Sequence, residues 1–206
     1  MAAILDHTLV RCDITTIRDK DTPPALFRAA LDRIGYHLAV EALRSVPTSS
    51  VRVQTPLQET GGDVLKGKII VVPILRAGLT LLQPFIHLVP NVAIGYLGMK
   101  RNEETLQPYE YYANIPSIGT DDTVVIVDPM LATGGSMCAA IEYVRHHHAS
   151  NIITVSVIAA PEGIHAVENA FPDVRVICAT LDEKLNEHGY IVPGLGDAGD
   201  RAHGTL

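Results

Sequence analysis

The stretch TVVIVDPMLATGGS, Thr123 to Ser136, decides how the rest of the chain is read. Thr123 to Val127 is a short, β-branched, almost wholly apolar run, the composition of a strand covered on both faces. It ends in Asp128 and is followed by Pro129, Met130, Leu131, Ala132, Thr133, Gly134, Gly135 and Ser136, where the spacing predicts a helix over about Gly135 to His147. A buried strand thus delivers a carboxylate, a Thr, two Gly and a Ser to a helix N-terminus. The glycines let the backbone turn sharply and approach a ligand, while free N–H groups and the helix dipole attract an anion. Asp128 would repel that anion and suits sugar hydroxyls instead, which donate to a carboxylate. The run reads as a phosphate cradle beside a ribose clamp. The plainer alternative is a strand-to-helix turn in which Asp128 and Ser136 satisfy only local backbone groups. No Lys follows the glycines as a Walker loop requires, so kinase and ATPase readings lose their main support.

Outward from this stretch, strand and helix alternate. Thr22 to Arg44 opens with a capping Thr before Pro23 and places Phe27, Leu31, Ile34 and Leu38 on one helical face. Ile69 to Leu75 (IIVVPIL) is a second doubly covered strand, ending at Arg76, Ala77 and Gly78. Leu79 to Val89 is expected to be helical, with Pro84 ending or kinking it. Further strands are expected at Val92 to Tyr96, Ile152 to Ala159 and Val174 to Ala179, and a helix at about Glu162 to Ala170 with Ile164, Val167 and Phe171 as its stripe. The alternation predicts an α/β fold: a doubly wound, mainly parallel sheet with helices on both faces, whose ligands gather beyond the carboxyl ends of the strands.

Bulk properties narrow the classes. At 206 residues, with 47% hydrophobic and 19% charged residues, the chain fits one ordinary domain. A net charge of -7 argues against a nucleic-acid groove, which needs clustered Lys and Arg. The N-terminal twenty residues carry acidic groups and no sustained apolar run, so neither a signal peptide nor a membrane span is expected, and the chain is read as soluble and cytoplasmic. Cys12, Cys138 and Cys178 are too scattered for a disulfide framework. His146, His147 and His148 are adjacent and cannot all face one ion, so they read as a solvated helix end. Gly194, Gly196 and Gly199 fit GxGxxG, but the chain stops at Leu206, leaving no room for the acidic residue of a dinucleotide site.

The run DPMLATGGS resembles the phosphoribosyl-diphosphate (PRPP) motif of type I phosphoribosyltransferases, and in detail it is similar to the uracil phosphoribosyltransferase family. Most members of the wider group carry two adjacent acidic residues after the strand; here Pro129 takes the second place, leaving Asp128 alone in that role. The likeness covers nearly the whole chain: TIRDK at Thr16 to Lys20, PILRAG at Pro73 to Gly78, GMKRNEETLQPYEYY at Gly98 to Tyr112 and YIVPGLGDAGDR at Tyr190 to Arg201 match family segments in family order. Family tails carry an aromatic residue before Gly-Thr, where this chain has Ala202 and His203.

The resemblance implies one phosphoribosyltransferase domain over 1–206, with an N-terminal arm (1–22), a lid loop (98–115) and a base-binding hood (185–206). It implies the reaction of uracil with PRPP to give UMP and pyrophosphate, with Mg²⁺ carried by PRPP, near Asp197. PRPP would be held by Arg76, Arg101, Asp197 and Asp128 through Ser136, of which Arg76, Arg101, Asp128 and Asp197 serve catalysis. Glu103, Glu104 and the Tyr109 to Tyr112 region would form lid and subunit surface. Uracil would be framed by the backbones of Ile191, Gly196 and Ala198, with Asp197 alongside. It further implies a homodimer or larger assembly and GTP as an effector. Two alternatives stay open: a PRPP- or nucleotide-sensing regulator of the same fold, and a phosphoribosyltransferase for another base.

Overall fold

A computed structural model describes residues 2–101 and 108–205, and of Lys100, Arg101 and Pro108 the backbone alone. In chain order its elements are β1 (Ala3–Ile4), α1 (Thr8–Arg18), α2 (Pro24–Leu43), β2 (Thr48–Gln54), β3 (Glu59–Leu65), β4 (Ile69–Leu75), a 3₁₀ turn (Ala77–Leu81) and α3 (Leu82–Leu88). There follow β5 (Ala93–Ile94), β6 (Tyr96–Arg101), β7 (Pro108–Asn114), β8 (Thr123–Val127), β9 (Met130–Leu131), α4 (Gly135–His146) and β10 (Asn151–Ala159). The chain closes with α5 (Pro161–Ala170), β11 (Arg175–Leu181), β12 (Lys184–Leu185), β13 (Ile191–Val192) and α6 (Ala198–His203).

The main sheet runs β1-β11-β10-β8-β4-β6-β7, with β5 beside β4 and β9 beside β10. Every pairing in it is parallel except β6 with β7. The alternation of the strands shows why the runs IIVVPIL and TVVIV are continuously apolar. Ile69, Val71, Val125 and Val127 join one core with α1, α2 and α6, while Ile70, Val72, Val124 and Ile126 join a second core with α4 and α5. Both faces of each strand are covered, as the doubly wound reading requires. From β4 the chain passes to β6 on one side, then returns to β8 on the other and continues outward to β10 and β11. The crevice between β4 and β8 is therefore the topological switch point.

α2 carries the stripe expected of it: Phe27, Leu31, Ile34 and Leu38 are all fully buried, each stabilising by about 1.5–3 kcal/mol relative to exposure. The helix starts at Pro24, one turn position later than a cap at Thr22 would give. The Thr22 hydroxyl instead donates to Thr16 O at 2.7 Å, and the N-cap is Pro23, without a side-chain bond. Pro84 neither ends nor interrupts α3. It lies in the first turn, where its missing N–H has no intrahelical partner to lose. The ring packs on Gly35 of α2, where an added Cβ would sit 2.8 Å from Pro84 Cγ. Gly35→Ala should therefore lower the thermal midpoint by roughly 3–6 °C, overpacking outweighing the helix propensity gained. Scanning calorimetry checks this, and a midpoint at or above that of the parent would refute the tight contact.

Two features depart from the sequence reading. Residues 48–65, for which the sequence suggests no element, form an antiparallel hairpin of their own, β2 with β3. The segment expected as a lid loop, 98–115, is largely a β-ribbon over its described residues: β6 pairs with β7 from Tyr96 opposite Asn114 to Arg101 opposite Pro108. Glu103 and Glu104 lie outside the described residues. His146, His147 and His148 are exposed at the end of α4, with His146 Nδ1 2.7 Å from Glu142 O. No helix among the described residues is long and apolar enough to cross a membrane.

Candidate active site

β4 and β8 are neighbours, in register from Ile69 opposite Thr123 to Pro73 opposite Val127, so their carboxyl ends present Arg76 and Asp128 side by side. Beyond Asp128 the chain forms β9, then turns into α4 through Gly134 at φ +84°, a conformation that suits glycine. No side chain caps α4, and Gly135 N lies 3.4 Å from Thr133 Oγ1. The turn is seated on α5: a Cβ on Gly134 would lie 2.8 Å from Ala166 Cβ, and one on Gly163 would lie 2.4 Å from Ala132 O. Backbone packed on backbone leaves little freedom for this loop to shift.

Two cavities adjoin at Asp128. The larger, about 630 Å³, is lined by Leu75, Arg76, Met99, Tyr111, Asp128, Ser136 and Asp197, among others. The smaller, about 310 Å³, is lined by Met130, Ala132, His188, Tyr190, Ile191, Gly196 and Ala198. Ala77, Asp128, Asp197 and Gly199 border both. A ligand spanning the two would place one part against Arg76 at the end of β4 and another against the Gly-rich tail.

Charge at this junction is out of the ordinary. Burial pushes the Asp128 carboxyl up to about 7; the Met130 N–H at 3.4 Å opposes this, and the neighbouring Asp197 adds to it. Two carboxylates beside one space make a natural setting for donors or a cation between them. Arg76 Nη2 donates to Asp200 Oδ1 at 3.0 Å. Asp200 is held below the usual carboxylate range by the Thr205 hydroxyl at 2.6 Å and by Arg76. Its N–H in turn donates to Asp197 Oδ1 at 2.8 Å, capping α6.

Most of the residues singled out from sequence come together here. Arg76, Asp128, Ser136 and Asp197 line the larger cavity; Met130, Ala132, Ile191, Gly196, Asp197 and Ala198 line the smaller. Thr133 and Gly134 form the turn into α4, which begins at Gly135, while Pro129 and Leu131 are buried. The Arg101 side chain lies outside the described residues. Sequence reasoning missed Asp200, the ion-pair partner of Arg76, and the walls supplied by Tyr111, His188 and Tyr190. Asp200 stood inside a quoted segment, but its pairing joins residues 124 apart in sequence.

The family model for uracil phosphoribosyltransferase matches residues 4–205. This chain belongs to the uracil phosphoribosyltransferase family. A uracil phosphoribosyltransferase from Dictyoglomus turgidum is 47% identical over the whole of both chains. One from Geobacillus kaustophilus is 46% identical over 98% of this chain and 97% of its own. Among solved structures, that of the AQ2163 protein from Aquifex aeolicus matches with a TM-score of 0.92 at 40% identity, covering 98% of each chain. A purine phosphoribosyltransferase from Pyrococcus horikoshii shares the fold, with a TM-score of 0.53 at 18% identity over 76% of this chain and 85% of its own. The strand-turn-helix unit and its switch-point crevice thus belong to a phosphoribosyltransferase core. Ahead of Gly204 and Thr205, Ala202 is fully buried against the α2 core and His203 is exposed.

Proposed function

We propose that this chain transfers the phosphoribosyl group of PRPP to uracil, forming UMP and releasing pyrophosphate. One observation carries the reading: two cavities share Asp128 and Asp197, one walled by Arg76 and Ser136 and the other by the backbone-rich tail at Ile191 to Ala198.

In this reading the amides and hydroxyls of Thr133 to Ser136 hold the 5′-phosphate at the start of α4, where the helix dipole favours negative charge. Asp128 accepts from the ribose hydroxyls. Arg76 meets the diphosphate, exchanging Asp200 for phosphate oxygens, which a guanidinium binds bidentately. Arg101 closes over the same group from β6. The bond from the sugar carbon to the diphosphate breaks as N1 of uracil bonds to that carbon, and N1 gives up its proton. Because the sugar carbon becomes oxocarbenium-like, no protein nucleophile is required; positioning and charge stabilisation supply the rate. The peptide groups of Ile191, Gly196 and Ala198 match the alternating donors and acceptors of a small planar base.

Among the described residues no cluster of three or more acidic, His or Cys side chains could hold a metal by itself. Asp128 and Asp197, hard oxygen donors beside the diphosphate wall, fit a magnesium ion brought in with PRPP. When bound, that ion would neutralise diphosphate charge. Assembly as a homodimer or larger is proposed on the exposed β2–β3 hairpin, which carries Val53, Leu57 and Val64 to solvent. GTP as an effector is carried over from the family resemblance, and a cytoplasmic setting from the composition of the N-terminal residues.

The test is incubation of the protein with PRPP, Mg²⁺ and each of uracil, cytosine, hypoxanthine and orotate, following pyrophosphate release. Release with uracil alone is expected. Release with another base would make this a phosphoribosyltransferase for that base, and PRPP binding without release would make it a sensor of the same fold.

A further inference from the structure

Two quoted segments that take no part in the proposed chemistry, TIRDK and the Arg201 end of the tail, meet behind the base cavity. Arg201 is only 8% exposed. Its Nη1 donates to Leu195 O at 2.7 Å and to Ile17 O, its Nη2 donates to Asp19 O, and the guanidinium lies 4.4 Å from the centroid of Phe27 in α2. Burial pulls its pKa down. Arg18, the last residue of α1, grips both oxygens of Asp182, a side chain buried to 2% exposure, and donates from Nη1 to Gly194 O at 2.9 Å. Asp182 Oδ2 then accepts from Gly194 N at 2.8 Å.

Three successive backbone groups, the N–H and C=O of Gly194 and the C=O of Leu195, are therefore pinned by two arginines and a carboxylate. The next residue is Gly196, at φ +81°, whose backbone lines the smaller cavity. Gly194 itself has φ +61° and sits so close to Ile191 that a Cβ would lie 2.2 Å from Ile191 O. A recognition surface built from peptide groups has no side-chain freedom with which to correct a displaced loop, so its precision depends on whatever anchors the backbone. Neither arginine lines either cavity, so any effect on the base must pass through the backbone they hold.

We infer that Arg18 and Arg201 are positioning residues for the base site: the N-terminal arm, through these two side chains, sets how tightly uracil is held without setting how PRPP is held. The inference rests on the proposed transfer to uracil. It is tested in the full-length protein with Arg201→Lys and Arg18→Lys, which keep the charge but lose the fork. KM is measured for uracil at saturating PRPP and for PRPP at saturating uracil, alongside the thermal midpoint.

The expected result is a rise of about tenfold in KM for uracil, with KM for PRPP changed by less than about twofold, in both variants. A fall in thermal midpoint and in Vmax with both KM values unchanged would make the arginines merely structural and overturn the inference. Equal rises in both KM values would overturn it too, since the tie would then serve the whole site. Should Arg201→Lys fail to fold, Arg18→Lys, at the partly exposed end of the network, decides the same split. Wild-type turnover of uracil is measured first: its absence defeats the transfer reading, whereas its presence without the split defeats this inference alone.

Discussion

Asp128→Asn should cut kcat/KM for PRPP by about tenfold or more, and at pH 8 it should raise the thermal midpoint above that of the parent. The loss follows from chemistry: a carboxylate accepts hydroxyl bonds as a charged partner, which is worth about 1.5–3 kcal/mol more than leaving the pair unmade. The gain follows from the same residue's surroundings. Burial pushes Asp128 up to about 7 in the folded protein, against an ordinary carboxyl value of 3.8 in the unfolded chain. Between these values the folded state holds the proton and the unfolded state does not, so stability falls as pH rises from about 4 to about 7, and the full penalty is present above that. Asn carries no charge and escapes a cost on the order of 1–3 kcal/mol. The advantage should vanish below about pH 4, where both carboxyl forms are neutral. Calorimetry at pH 4.5 and 8, beside steady-state kinetics, checks both signs. A variant that is active and no more stable at pH 8 would remove Asp128 from the sugar site.

Gly163→Ala should be at least as damaging, although Gly163 lies on α5 and lines neither cavity. Helix propensity alone predicts a gain of about 1 kcal/mol. Geometry predicts the reverse, because the new Cβ would sit 2.4 Å from Ala132 O and 2.6 Å from Leu131 O, both main-chain atoms of the chain that turns into α4. Main chain cannot rotate out of the way as a side-chain tip can, so the turn itself must move. Displaced by even about 1 Å, it should lose roughly 100-fold in kcat/KM for PRPP. KM for PRPP and thermal melts would show the effect, and parent-like kinetics would mean that the turn does not depend on its seat against α5.

What could be read from sequence was whatever local chemistry writes locally. The strand β8, the bend after it and the start of α4 lie within fourteen residues, and hydrophobic run, glycines and hydroxyls all point the same way there. Arg76 was singled out through the family resemblance, and the structure places it on the wall of the larger cavity. The hairpin of β2 and β3 was not legible, since its strands are largely exposed and their one apolar face, Val51, Val53 and Val64, is too short a pattern to mark a strand. Nor was the ribbon of β6 and β7: its pairing depends on Gly98, where an added Cβ would lie 2.5 Å from the Tyr111 ring, and that contact cannot be inferred from either segment alone. α1 did offer a signal, with Val10, Ile14 and Ile17 at helical spacing and buried, but charged residues between them obscured it. The pairs Arg76 with Asp200 and Arg18 with Asp182 join residues 124 and 164 apart, so only the assembled fold brings them within reach. They matter because Arg76 with Asp200 ties a strand end to the tail, while Arg18 with Asp182 ties the arm to the Gly194 turn.

The most direct test of that site is a crystal structure of the protein with UMP. The phosphate is expected on the N–H groups and hydroxyls of Thr133 to Ser136, the ribose hydroxyls on Asp128, and the base against Gly196 and Ala198. A nucleotide bound with its phosphate away from that turn, and with Asp128 left untouched, would contradict the account.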